Sequence, residues 1–254
     1  MTDDVDFARR FGGVSRLYGI EGLSKLVKAH VCVIGIGGVG SWAAEALARN
    51  AVGKITLIDL DNIAESNVNR QIHALDGAFG KAKVAAMAER IQQINPYAEV
   101  YEIEDFVTIE NVLEMMDRSY DIVLDAIDDA KAKVAIAAYC RANKLTLITT
   151  GGAGGRLDPT KIKTADMAKA TGDRLLAKVR NQLRRDHSFP KGDKSKFGIQ
   201  AVYSDEQIIK PDATCDADAG VTGLNCAGYG SSVTVTASFG FVAAQLALNH
   251  LIKS

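Results

Sequence analysis

The residues with the most to say about chemistry lie between Val31 and Asp59. An apolar, β-branched run, Val31-Cys32-Val33-Ile34, breaks into Gly35-Ile36-Gly37-Gly38-Val39-Gly40. Gly35 and Gly37 permit a tight turn and close backbone approach to a phosphate. Gly40 lets the following helix lie against the strand, whose neighbouring helix N-terminus offers free N–H groups to an anion. A second strand, Ile55–Ile58, ends at Asp59, 24 residues beyond Gly35, where an acidic side chain commonly accepts from ribose hydroxyls. Together these residues predict a nucleotide-binding βαβ unit.

The elements around that unit follow from hydrophobic periodicity. Residues 1–28 carry a helical apolar pattern at Leu23, Leu26 and Val27, with Arg9, Arg10 and Arg16. Phe79–Ile94 shows a helical stripe ended by Asn95-Pro96, Glu99–Glu104 alternates as a strand, and Ile109–Met116 reads as a helix. Tyr120–Ile127 is a buried strand closing on Asp128-Asp129, Lys131–Asn143 a helix, and Leu145–Thr149 a strand running into Gly151–Gly155. Such alternation predicts an α/β fold, a Rossmann-like, doubly wound, mostly parallel sheet with a C-terminal extension. We divide the chain into an N-terminal helical segment (1–28), a nucleotide-binding core (29–155), and a segment (156–254) with a basic stretch and an apolar helix packed on the core. Ligands of such sheets sit at the carboxyl ends of strands, so the glycine turn, Asp59 and Asp128 should converge.

Composition narrows the classes. The 254 residues are 47% hydrophobic and 24% charged, with a formal net charge of −1, which argues against bulk nucleic-acid affinity but leaves room for a local basic patch. Arg174–Lys196 is that patch, with eight Lys/Arg against two Asp, a local +6. Leu176, Val179 and Leu183 form its apolar stripe, while Arg174, Lys178 and Arg185 share another face. It reads either as a solvated surface helix or as a phosphate-backbone contact carried by Arg174, Lys178, Arg180, Arg184 and Arg185. The four cysteines form no CxxC pair, which argues against a thiolate zinc site. Cys32 and Cys140 read as core residues, Cys215 and Cys226 as loop residues. Met1–Phe7 is not a secretory signal, so the cytoplasm is expected. Ala219–Ile252 holds no Asp, Glu, Lys or Arg. We read Ser231–Leu251 as a turn or strand leading into a buried helix, with a membrane span or a peripheral membrane contact as alternatives.

The ordered series Gly35–Gly40, Asp59-Leu60-Asp61, Ser66-Asn67-Val68-Asn69-Arg70-Gln71, Gly80–Val84, Asn95-Pro96 and Asp128-Asp129 resembles the ubiquitin-activating-enzyme-like adenylating superfamily, whose bacterial members include MoeB and ThiF. The resemblance covers about residues 10–155. It implies an ATP site built from Gly35, Gly37, Gly38, Gly40, Asp59, Asp61, Ser66, Asn67, Asn69, Arg70, Lys83, Asp128 and Asp129. In that site Asp59 would hold the ribose, and Asn67 and Arg70 the phosphates. Arg70, Lys83 and Asp128 would be the catalytic groups, Asp128 holding Mg²⁺.

Two departures from the MoeB and ThiF pattern stand out: the paired CxxC zinc ligands are missing, and Gly13 occupies the place where many members carry an arginine that reaches the partner's ATP. Arg10 or Arg16 could substitute. With RFGGVSRLYG, GGAGGRLDPTKIKTADM and LNCAGYGSS, these departures resemble the tRNA threonylcarbamoyladenosine dehydratase branch. That branch implies ATP-dependent cyclisation of a modified adenosine in tRNA, by adenylation of its threonyl carboxylate. It also implies a homodimer and association with a cysteine-desulfurase sulfur acceptor. The rivals are adenylation of a ubiquitin-like or sulfur-carrier protein's C-terminus, with Cys215 or Cys226 receiving the acyl group, an NAD-dependent dehydrogenase, and a nucleotide-dependent scaffold. The loop Asp216–Ser232 is further expected to hold a monovalent cation through its carbonyls.

Overall fold

A computed structural model of the chain describes residues 6–116, 119–192, 195–210 and 229–253. In chain order the elements are α1 (Phe7–Lys28), β1 (His30–Ile34), α2 (Gly40–Arg49), β2 (Lys54–Ile58), α3 (Lys83–Ile94), β3 (Glu99–Ile103), α4 (Val112–Met115), β4 (Ile122–Asp125), α5 (Ala130–Asn143), β5 (Thr146–Thr150), β6 (Ile162–Asp166), α6 (Arg174–Asp186), β7 (Gln200–Ser204) and α7 (Val233–Lys253). The seven strands form one sheet in the order β3-β2-β1-β4-β5-β7-β6, parallel throughout except for the antiparallel edge pair β6–β7. The expected mostly parallel, doubly wound sheet is present.

Strand alternation sorts the core into two layers. In β1, Val31 and Val33 face one layer, while Cys32 and Ile34 face the other. The first layer is closed by α1, α2, α3 and α7, the second by α5 and α6. Both cysteines of the second layer are buried core residues, and burial pushes the Cys140 thiol up to about 12.

From Val233 on, the charge-free tail is the helix α7, whose face of Phe239, Ala243, Ala244, Ala247, Leu248 and Leu251 lies in the first layer. It is the one helix among the described residues long and apolar enough to cross a membrane, but 56% of its apolar stretch is buried inside the protein. A Cβ at Gly240 would stand 2.5 Å from the Val39 carbonyl oxygen, so α7 touches the backbone at the start of α2. Its far end meets α1, where Lys25 Nζ donates to the Ile252 carbonyl oxygen at 3.1 Å, across 227 residues of chain.

Some elements are shorter than the periodicity suggests. The stripe from Phe79 becomes helical only at Lys83, after a turn through Gly80 at φ 84°. Helix α4 is a single turn, its approach held by Asn111, whose side chain accepts from the Thr108 N–H at 2.7 Å. Helix α1 is broken at Gly19, with φ 78° and ψ 167°.

Behind the carboxyl ends of β4 and β5 lies a buried ion pair. Lys133 Nζ of α5 meets Asp125 Oδ2 of β4 at 2.9 Å, each side chain 1% exposed. Thr149 of β5 joins both, accepting from Lys133 at 3.1 Å and donating to Asp125 at 2.8 Å. Removing one partner strands the other charge in the core. Asp125→Ala is expected to cost about 3–5 kcal/mol in urea unfolding, and the apolar pair Asp125→Leu with Lys133→Met to recover most of it. A single variant as stable as the parent would mean that Lys133 is not held by this pair.

Candidate active site

The order of strands reverses between β1 and β4, and the site is built outside their carboxyl ends. The Gly35 N–H donates to the Ile58 carbonyl at 2.8 Å, and the Ala126 N–H to the Ile34 carbonyl at 2.8 Å, so the three strand ends are tied together. Gly35 has φ 86°, and a Cβ there would lie 2.8 Å from Ile127 Cγ2. A Cβ on Gly40 would sit 1.8 Å from the Gly35 carbonyl oxygen. Both glycines are therefore steric requirements: the helix begins directly on top of the turn. Gly37 faces Gln71, and Gly38 lies under the aliphatic stem of Arg70.

Asp59 terminates β2 and reaches back to the turn. Its Oδ2 accepts from the Ile36 N–H at 2.6 Å and its Oδ1 from the Asp61 N–H at 2.9 Å. Burial raises its carboxyl above the ordinary value, against the pull of Lys83. Lys83, the buried first residue of α3, lies 2.6 Å from Asp61 Oδ2 and 3.7 Å from Asp59 Oδ1. Of the two carboxylates, Asp61 is the half-exposed one.

The connection between β2 and α3 carries the remaining cationic group. Ser66 and Asn67 belong to one 3-10 turn, Glu65–Asn67. Asn67 is buried, and its side-chain oxygen accepts from the Ala64 N–H at 3.1 Å, so it shapes the turn. Arg70 Nη1 donates to the Ser66 carbonyl at 2.7 Å and to Asn69 Oδ1 at 2.9 Å. Trp42 of α2 donates to the Arg70 carbonyl at 2.9 Å, and Asn69 donates to Ser231 just before α7.

Asp128 is half-buried in the connection between β4 and α5, directly after the Ile127 side chain that touches Gly35. Asp129 caps α5, accepting from the Ala132 N–H at 2.7 Å. The fold thus collects the glycine turn, Asp59, Asp61, Arg70, Lys83 and Asp128 along the carboxyl-end edge of the central strands, with Asn67 and Asn69 shaping the loop and Asp129 ordering the helix. An anion arriving at this edge meets free N–H groups at the start of α2 and the flanking charges of Arg70 and Lys83.

The basic helix α6 packs on α5, in the other layer from the glycine turn's helix. Leu176, Val179 and Leu183 are its buried stripe, and Arg174, Lys178 and Arg185 are exposed. Three of its arginines make local contacts: Arg185 donates to Asp186 at 2.7 and 2.9 Å, Arg180 donates to the Ala170 carbonyl, and Arg184 donates to the Pro190 carbonyl at 3.3 Å and stacks over Phe197. Of the two N-terminal arginines, Arg10 donates to the Gln93 and Ile94 carbonyls at the end of α3, while Arg16 lies back beside Gly12 and Gly13. Cys215, Cys226 and most of the expected cation loop lie outside the described residues.

The ThiF family model matches residues 10–254. The chain belongs to the ThiF family. A tRNA threonylcarbamoyladenosine dehydratase of Haemophilus influenzae is 48% identical over 249 residues, covering 98% of this chain and 95% of that protein. The Escherichia coli tRNA N6-threonylcarbamoyladenosine dehydratase, TcdA, solved in complex with ATP, superposes with a TM-score of 0.88 at 48% identity, covering 97% of this chain and 95% of that one. A molybdopterin-synthase adenylyltransferase of Haemophilus influenzae is 31% identical over 138 residues, 54% of this chain and 56% of its own length. The resemblance to the dehydratases spans nearly the whole chain, whereas that to the adenylyltransferase spans about half of it.

One group in this ThiF-family site had no signal in residue spacing. His73 is buried beside the loop with neither ring nitrogen hydrogen-bonded among the described residues. Burial, then the like charges of Lys83 and Arg90, pull its imidazole from 6.5 down to about 4. Between those values the unfolded chain binds more protons than the folded one. The stabilisation is complete above pH 6.5 and is lost as pH falls through about 4, a change of roughly 3 kcal/mol. Denaturant unfolding from pH 7 to pH 4 should show this loss, and His73→Leu should flatten it. Equal slopes in the two proteins would remove His73 as its source.

Proposed function

We propose that this protein is an ATP-dependent tRNA threonylcarbamoyladenosine dehydratase. It cyclises the modified adenosine beside the anticodon by adenylating the threonyl carboxylate. The observation that carries this reading is full-length likeness to dehydratases, one of them solved with ATP, combined with a phosphate-accepting glycine turn at the switch point of the sheet.

In the first step a carboxylate oxygen of the substrate bonds to the α-phosphorus of ATP and pyrophosphate leaves. In the second, a nucleophile of the same modified base attacks the activated carbonyl and AMP departs. The nucleoside loses one water, and the nucleophile is already tethered beside its target. This route needs no enzyme thiol. The glycine turn would bear the phosphates, with Arg70 as a forked donor and Lys83 as a point charge countering the charge that builds in the transition state. Asp59 would accept from the ribose hydroxyls: the Ile36 and Asp61 N–H groups orient its carboxylate and use one acceptor site on each oxygen, with the half-exposed Asp61 beside it.

Asp128 would hold Mg²⁺. No cluster of three or more His, Cys, Asp or Glu able to cage a metal occurs among the described residues. A single strand-end carboxylate suits Mg²⁺, which takes most of its ligands from phosphate oxygens and water. The exposed Arg174, Lys178 and Arg185 of α6 are proposed to meet tRNA phosphates. The protein is proposed to be a cytoplasmic homodimer, with the exposed Leu17 and Ile20 of α1 as candidate contact residues, that takes a sulfur-acceptor partner and a monovalent cation.

Incubation with Mg-ATP and tRNA bearing threonylcarbamoyladenosine, followed by digestion and mass measurement, should show that nucleoside lighter by one water. Arg70→Ala and Asp128→Ala are each expected to slow this by roughly a hundred- to a thousand-fold. An unchanged nucleoside with ATP still bound would transfer the reading to a protein C-terminus. Separately, replacing Arg174, Lys178 and Arg185 by Ala should weaken tRNA binding uniformly across sequences and lower its salt dependence, with ATP affinity intact.

A further inference from the structure

At the end of α2 and α3 away from the glycine turn lies a second cationic feature, which the proposed ATP site does not use. A cavity of about 430 Å³ is lined by Arg10 and Phe11 of α1, Arg49 of α2, and Arg90, Gln93 and Ile94 of α3. Its three guanidinium groups are set in place by the protein. Glu45, buried in α2, accepts from Arg49 Nε at 2.7 Å, from Arg90 Nε at 2.6 Å and from Arg90 Nη2 at 3.1 Å. Arg10 is anchored through Nη1 on the Gln93 and Ile94 carbonyls at 3.1 and 2.9 Å.

Three positive charges face one carboxylate, a surplus of two. Each guanidinium carries five N–H donors, and the anchoring bonds use only part of them. Among the described residues, both Nη atoms of Arg49, and Nε and Nη2 of Arg10, have no protein acceptor. Buried Glu45 therefore acts as a pre-set hinge pin: it fixes two forks and leaves their outer edges aimed at solvent. Planar forks of this kind match phosphate oxygens in a way a solvated lysine does not.

We propose that this pocket receives a backbone phosphate of the tRNA substrate, at a site distinct from both the glycine turn and α6. The inference rests on the tRNA reading above. Helix α2 runs ten residues from the glycine turn to Arg49, about 15 Å at 1.5 Å per residue. A strand whose modified base lies at the turn thus spans the distance with a few nucleotides. Fixed at both ends of α2, the strand is held in register on the protein, and the contact adds affinity without reading sequence.

The test is tRNA binding over a range of salt concentrations with Arg49→Ala and Arg49→Glu. Arg49 is mostly exposed, and Glu45 keeps Arg90, so the fold is retained, which thermal unfolding checks. Loss of one phosphate contact should weaken tRNA binding by about five-fold near physiological salt and lower the salt slope by about one, more so for the Glu variant. ATP affinity, measured alongside, should not move. Parent protein that binds tRNA while both variants keep its affinity and slope would overturn the pocket alone. Failure of the parent to bind tRNA would overturn the pocket and the tRNA reading together. Calorimetric titration with inorganic phosphate is the remaining arm. Micromolar binding lost in Arg49→Ala, with tRNA binding unchanged, would assign the pocket to a free anion and overturn the proposal.

Discussion

Everything in the site depends on how close α2 comes to β1. With only 1.8 Å between the Gly35 carbonyl oxygen and the position a Gly40 Cβ would take, a helix with any other residue there could not start where it does. That approach aims the first N–H groups of α2 across the strand ends. It also lets Asp59 accept from Ile36, and brings Ile127 and hence Asp128 onto the turn. The helix is seated from behind as well, since Gly240 of α7 admits the Val39 carbonyl. The glycine turn is thus held between two glycine contacts made by segments some two hundred residues apart.

Charge in this protein is placed in a graded way. Lys83 is shared between a buried carboxylate and a half-exposed one, so its outer partner faces solvent while the inner one keeps it in place. Lys133, by contrast, is sealed against Asp125 and Thr149 and has no route to solvent. Arg156 and Asp173 form a second sealed pair, in which Asp173 also caps α6 and accepts from the Gly152 N–H at 3.0 Å. The sealed pairs fix the loops that follow β4 and β5. The Lys83 pair instead lies beside the glycine turn, with one carboxylate open to solvent.

Much of this was legible in the residues because local rules apply to it. Glycine spacing marked the turn, alternation marked the strands, and the stripe Leu176, Val179, Leu183 marked the inner face of α6. What escaped depends on side chains from distant segments meeting. Asp125 reads as one polar residue in an apolar strand, and Lys133 as one of several cations on a helix. Nothing in either position names the other. Asp129 could not be told from Asp128 by spacing, since both follow β4, and only the helix start shows which caps. Arg180 and Arg184 looked equivalent to their exposed neighbours until the chain before α6 gave Arg180 the Ala170 carbonyl and the chain after it gave Arg184 the Pro190 carbonyl.

The bond from Lys25 to Ile252 has a consequence for how the molecule comes together. The β1–α2–β2 unit closes over short stretches of chain and can organise early. The α1–α7 seam closes a loop of more than two hundred residues, and that entropy must be met before any contact in the seam repays it. The layer holding the glycine turn is therefore expected to consolidate late, with catalytic competence arriving as one of the final events of folding rather than with the nucleotide motif itself.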